Sequence, residues 1–138
     1  MEYAKEVLSE LKQEGYHLAI VSSKITDTVR ENLRVFEMED LFEDVVGVEM
    51  VKKAKPDPEA FELLYKRNGY NHDAVIYVGD TVDDIEGGKN VDAFTVLYYT
   101  EDEPRKDVVD AKANVYIDDL RKIKEIIKED RYFTYQSK

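Results

Sequence analysis

At 138 residues the chain has room for one domain of ordinary size, and 43% hydrophobic with 11% aromatic residues can fill a core, which argues against disorder and against membrane insertion. Thirty-one Asp plus Glu against 20 Lys plus Arg leave a formal charge of −11, a field that repels nucleic-acid backbones, and the small cluster Lys52, Lys53 and Lys55 cannot reverse it. The lack of cysteine excludes disulfides, thiolate-bound zinc and a thiol nucleophile; together with a charged amino terminus lacking the apolar run of a signal peptide, it points to a soluble cytoplasmic protein with no membrane partner.

Tyr3, Val7, Leu8 and Leu11 recur at helical spacing, and Gly15 stands where such a helix would stop. His17 to Val21 is a short, nearly continuous apolar run ending in Ser22-Ser23, the pattern of a strand buried on both faces. Thr28 and Glu31 have the spacing of a capping box and predict a second helix carrying Val29, Leu33 and Phe36. The β-branched stretch Val45 to Val51 reads as a strand, followed by a helix with Asp57 as N-cap, Pro58 at its first position, and Phe61, Leu64 and Tyr65 as its buried stripe.

Ala74 to Val78 is the most strand-like run in the chain, closed by Gly79-Asp80; a short helix through Asp84 and Ile85 is expected to end at Gly87-Gly88. Ala93 to Tyr99 supplies a further strand. After a polar loop, Val115 to Ile117 gives a brief strand and Leu120, Ile123, Ile126 and Ile127 a last helix. Alternating strands and helices predict an α/β fold, a three-layer parallel sheet with helices on both faces, in a single domain over 1–138. Ligands of such sheets bind beyond the carboxyl ends of the strands, which puts Ser22-Ser23, the Lys55 loop and Asp80 on one rim.

On that rim the hydroxyls of Ser22 and Ser23 can hold anionic oxygens or cap the next helix. Lys55 can be a solvated lysine, or a cation held in place by the flanking Pro56 and Pro58. Asp80, Asp83 and Asp84 follow Gly79, and clustered carboxylates beside phosphate-binding hydroxyls suit Mg²⁺, a hard cation that prefers oxygen. Asp80 points from the turn, Asp84 falls one helical turn later, and Asp83 reads as solvent-facing or capping. His17 and His72 lack partner spacing for metal or base work.

Three segments together, Ala19-Ile20-Val21-Ser22-Ser23-Lys24, Lys55-Pro56-Asp57-Pro58 with Phe61, and Val78-Gly79-Asp80-Thr81-Val82-Asp83-Asp84-Ile85 with Gly87-Gly88, resemble the second, third and fourth motifs of the haloacid dehalogenase-like hydrolases. The likeness is to phosphoglycolate-phosphatase-like members and extends over roughly Glu2 to Ile127. It implies a Rossmann-type sheet and Mg²⁺-dependent hydrolysis of a small phosphorylated metabolite. It also implies roles: Ser22 and Ser23 toward the phosphoryl group, Lys55 neutralising its charge, Asp80 ligating Mg²⁺ with Asp84 in support. Such roles suit phosphoryl transfer, which needs positioning and charge stabilisation.

Members of that family attack phosphate with an aspartate of an Asp-x-Asp motif at the end of an earlier strand, and this sequence contains no Asp-x-Asp. The family's mobile cap, placed between the first and second motifs, is missing as well, so the chain is expected to correspond to the part after the cap. Loss of a nucleophile from a site acting as a unit costs on the order of 10⁴ to 10⁶ in rate, which impairs turnover by the chain alone. The alternative is a non-catalytic phosphate- or partner-binding module on the same scaffold. A phospho-acceptor receiver domain shares the sheet type, but would want an acidic pair where Val21-Ser22-Ser23 stands.

In the resembled fold the missing strand lies between the strand ending at Val21 and the one at Val75 to Val78. Two apolar strands then present open edges, which soluble proteins rarely tolerate. Direct pairing of the two, a homo-oligomer, or a second chain supplying the strand would close the gap, and the aromatic run Tyr132-Phe133-Thr134-Tyr135 is a candidate filler or packed extension.

Overall fold

The computed structural model describes residues 2–128; the aromatic run at 132–135 lies outside the described residues. The elements alternate as expected: α1 (Ala4–Gln13), β1 (Ala19–Val21), α2 (Thr26–Val35), β2 (Asp44–Val46), α3 (Glu59–Asn68), β3 (Ile76–Gly79), α4 (Val82–Asn90), β4 (Phe94–Tyr98), α5 (Lys106–Asp110), β5 (Val115–Ile117) and α6 (Lys122–Ile127). All strand pairings are parallel.

Side chains alternate across β3 and β4, as a strand's two-residue period requires when both faces are buried. Ile76, Val78, Phe94, Val96 and Tyr98 pack with Val7 and Leu11 of α1 and Ile123 and Ile126 of α6. On the other face, Val75 and Tyr77 join Phe61, Leu64 and Tyr65 of α3, and Leu97 packs with Ile85 of α4 and Val108 of α5. Helices therefore cover both faces.

The expected single sheet is split. β1 pairs with β2 in one sheet, β3-β4-β5 form another, and no ladder joins β1 to β3 among the described residues. Direct pairing is thus not how the two apolar edges are closed. α3 bridges the halves: near its start Lys55 reaches Asp84 beside the carboxyl end of β3, and at its end Arg67 and Asn68 bind Asp44 at the amino end of β2. This course makes the two sheets run in the same direction.

Four local readings need correction. The second helix begins at Thr26, not Thr28, because Glu49 accepts from both the Thr26 amide (2.9 Å) and its hydroxyl (3.1 Å) and does the capping from another loop. The strand over Val45 to Val51 stops at Val46, and Val48–Met50 forms a 3₁₀ turn. Pro58 is the N-cap of α3 rather than its first residue, although the Asp57 carboxylate still accepts from the Glu59 amide at 3.0 Å. Finally α4 continues through Gly87 and Gly88 to Asn90. A Cβ at Gly87 would meet the Phe61 ring at 2.7 Å, and one at Gly88 would meet Thr95 at 2.8 Å, so these glycines let the helix approach α3 and β4 closely and do not end it. The short helix α5 had no counterpart in the sequence reading.

Candidate functional site

Lys55 and Asp84 meet at 2.6 Å, with side chains only 10% and 9% exposed. The loop before α3 holds the lysine: Asp57 N–H donates to the Ala54 carbonyl at 3.0 Å, and Asn90 from the end of α4 donates to the Pro56 carbonyl at 2.9 Å. Asp84 is the N3 residue of α4 in a capping box with Thr81, whose hydroxyl accepts from the Asp84 amide at 3.1 Å. Its Oδ2 accepts from the amides of Asp80 (3.0 Å) and Thr81 (3.2 Å), and its Oδ1 accepts from Lys55 and from the Tyr77 hydroxyl (3.1 Å). One carboxylate therefore caps α4, braces the Asp80 backbone and pairs with Lys55. Gly79 allows this packing, since a Cβ there would fall 2.3 Å from the Asp84 Cβ.

The charges are uneven. Burial pushes the Asp84 carboxyl up, but the Lys55 ammonium and the amide donors outweigh it, so it lies below the usual carboxylate range. Asp80 moves the other way: burial and the neighbouring Asp84 charge raise its carboxyl, against a smaller opposing pull from Lys55. Asp80 is exposed and lines a cavity of about 390 Å³ at the carboxyl ends of β3 and β4, with Tyr99, Thr100 and Arg105. A carboxylate kept uncomfortable by another carboxylate gains from a cation. For Mg²⁺ the fit is partial: the four donors on Asp84 leave Asp80 as the more accessible carboxylate of that pair, and no group of three or more metal-binding side chains occurs among the described residues. Mg²⁺ tolerates so few protein ligands when water and phosphate oxygens complete its shell.

Ser22 lies just past β1, its amide bonded to the Val46 carbonyl at 3.0 Å and its Oγ accepting from the Lys24 amide at 3.0 Å. Neither Ser22 nor Ser23 caps α2, whose N-cap Ile25 makes no side-chain bond. Among the described residues no hydrogen bond joins Ser22 to Lys55, Asp80 or Asp84, so Lys55 and Asp80 are brought together through Asp84 while the serines stand at the end of the other sheet. Asp83 is exposed. His17 pairs with Glu43 at 2.7 Å and His72 sits edge-on to Tyr65, structural contacts in both cases.

Sequence reasoning missed Tyr77. Its ring packs T-shaped on Phe61 at 4.8 Å while its hydroxyl lies 3.3 Å from Lys55 Nζ, and burial followed by the Asp84 charge pushes the phenol well above its ordinary value. The signal was one polar tip inside the otherwise apolar run Ala74 to Val78, because a buried tyrosine hydroxyl needs a partner.

A family model for haloacid dehalogenase-like hydrolases matches residues 1–98. Pyrophosphatase PpaX of Listeria monocytogenes serotype 4a is 38% identical over 90 residues, 65% of this chain and 42% of that protein. The same enzyme of Bacillus velezensis is 42% identical over 85 residues, 62% of this chain and 39% of that protein. The chain thus spans about two fifths of these curated relatives. Crystal structures of a predicted phosphoglycolate phosphatase from Haemophilus somnus (TM-score 0.83, 28% identity, 92% of this chain and 56% of that one) and of a HAD phosphatase from Thermococcus onnurineus (TM-score 0.83, 25% identity, 93% and 58%) share the fold.

Proposed function

Because this chain belongs to the haloacid dehalogenase-like hydrolases, we propose that it carries the phosphate- and Mg²⁺-holding part of a phosphate monoester phosphatase site. The observation that carries this reading is the Lys55 ammonium fixed at 2.6 Å on Asp84, beside the accessible Asp80 and at the carboxyl end of a parallel strand. Lys55 offsets phosphoryl charge from a low-dielectric position where a cation acts strongly. Ser22, with Ser23, donates hydroxyls to phosphoryl oxygens from the end of β1. Asp80 would hold Mg²⁺, and Asp84 acts by fixing both Lys55 and the Asp80 backbone. Bound Mg²⁺ would supply neutralisation of the oxygens not met by Lys55. The cavity beyond Asp80, with Arg105 in its wall, has room for the alcohol portion of a small ester.

The attacking aspartate of the resembled mechanism has no counterpart in this sequence, which contains no Asp-x-Asp. With Asp84 committed to four donors, the described residues supply binding and charge stabilisation rather than the nucleophile. This favours a second reading for the chain by itself, a module that binds phosphate without turning it over.

Incubation with Mg²⁺ and small phosphate esters, with and without a synthetic peptide bearing an Asp-x-Asp strand, separates the two. Turnover that requires the peptide supports the phosphatase site. Phosphate binding with no turnover in either case supports the binding module, and neither binding nor turnover contradicts both. No helix among the described residues is long and apolar enough to cross a membrane.

A further inference from the structure

A lysine carries its charge at the end of a long, flexible stem, and the loop around Pro56 fixes only the near end of that stem. The bond to Asp84 at 2.6 Å sets the distance of the Lys55 ammonium from one oxygen and leaves it free to swing about that oxygen. A second contact removes the freedom. Lys55 Nζ donates to the Tyr77 hydroxyl at 3.3 Å, and the hydroxyl donates to the same Asp84 Oδ1 at 3.1 Å, so the three polar groups close a triangle. Each corner suits its place: an ammonium only donates, an ionised carboxylate only accepts, and a phenol does both. Because Oδ1 receives the phenol as well as the ammonium, part of the carboxylate's charge is met by Tyr77, and more of the Lys55 charge is left for an incoming anion.

Tyr77 is the rigid member of the triangle. It stands on β3 in register with Thr95 of β4, and its ring meets the buried Phe61 edge-on with centroids 4.8 Å apart. Helix α4 closes the other side where Gly88 has no side chain, since a Cβ there would come within 3.2 Å of the ring. Burial, followed by the Asp84 charge, pushes the phenol well above its ordinary value, so the hydroxyl keeps the proton that it gives to Asp84. Packing explains the ring and leaves the hydroxyl over: a phenylalanine would fill the same space against Phe61. A buried hydroxyl carries a desolvation cost that Val75, Ile76 and Val78 in the same run avoid. The core uses the ring, and the site uses the oxygen.

We propose that Tyr77 is a positioning residue for phosphoryl binding: its hydroxyl, together with Asp84, holds the Lys55 ammonium at one point beside Asp80 and so presents a fixed charge to a phosphoryl oxygen. Tyr77 acts through Lys55 and does not itself touch the substrate. Fixing the charge before the ligand arrives spares the ordering of a long side chain at the moment of binding. The proposal rests on the reading of Lys55 as a phosphate-binding cation, and it adds to that reading the group that keeps the cation in place.

Tyr77→Phe in the full chain removes the hydroxyl and keeps the ring. Thr95→Val is the control: it deletes a buried hydroxyl of the neighbouring strand that donates to the Asn114 side chain at 3.0 Å and accepts from the Asn114 amide at 3.1 Å, with no bond to the Asp84 cluster. Two quantities are read, the exchange of the Lys55 ammonium protons with water by nitrogen-15 NMR and the affinity for inorganic phosphate by phosphorus-31 titration. In Tyr77→Phe the ammonium protons should exchange about fivefold faster and phosphate should bind about fivefold more weakly, with both unchanged in Thr95→Val. Unchanged ammonium exchange in Tyr77→Phe overturns the proposal, as does faster exchange with the parent's phosphate affinity. Equal losses in Thr95→Val also overturn it, because they assign the effect to a loosened fold. A parent that binds no phosphate contradicts the phosphatase reading itself, an outcome distinct from a parent that binds phosphate no better than Tyr77→Phe.

Discussion

Two buried aspartates occupy opposite ends of the strands, and each is paired with a cation. At the amino end of β2, Asp44 is held by Arg67 (3.0 Å), Asn68 (2.8 Å) and the Val45 amide (2.9 Å). At the carboxyl end of β3, Asp84 is held by Lys55, Tyr77 and two amides. The Asp44 cation is 42% exposed and no further carboxylate is involved, whereas Lys55 is 10% exposed and the Asp84 cluster adjoins Asp80 in a cavity. A buried ion pair alone is a structural tie. It becomes a candidate site when the cation is desolvated, a second charge stays accessible, and the strand ends open onto space for a ligand.

The sharpest way to break this contrast is to remove each cation in turn. Lys55→Met leaves the Asp84 carboxylate buried without its counter-charge and should cost about 3–5 kcal/mol in urea unfolding, with phosphate binding lost. Gly87→Ala, between the two ends, forces a methyl group onto Phe61 and should cost about 1–3 kcal/mol by the same measurement, because it displaces the helix that carries Asp84. Arg67→Ala should cost only about 1 kcal/mol, as its partner keeps two other donors and the guanidinium is well solvated; phosphate binding should not change. Asp80→Asn should alter stability by less than about 0.5 kcal/mol, yet lose Mg²⁺ binding in calorimetric titration. A stability loss from Asp80→Asn as large as that from Lys55→Met would show that both ends are structural.

Much of this was legible in the sequence because burial leaves a period. The run Ala74 to Val78 and the stripe Phe61, Leu64, Tyr65 announced β3 and α3, and three short segments in order put Ser22 and Asp80 after strands and Lys55 in a loop. What failed depends on partners distant in the chain. Glu49 caps α2 from 23 residues away, and no local pattern contains that bond. Gly87-Gly88 looks like a helix stop until Phe61 and Thr95 are seen to need the space. Periodicity also reports that a strand's faces are buried without saying what lies along its edges, so the split between β1 and β3 could be suspected only from the missing strand. Tyr77 was hidden for a related reason, since its ring belongs to the core and only its hydroxyl reaches the site.

Phosphorus-31 NMR of inorganic phosphate titrated with the protein, with and without Mg²⁺, tests the central claim most directly when the parent is compared with Asp80→Asn and Arg67→Ala. The account predicts Mg²⁺-dependent broadening and shift of the phosphate signal for the parent and for Arg67→Ala, with the Mg²⁺ dependence lost in Asp80→Asn. Identical titrations for Asp80→Asn and the parent would contradict it.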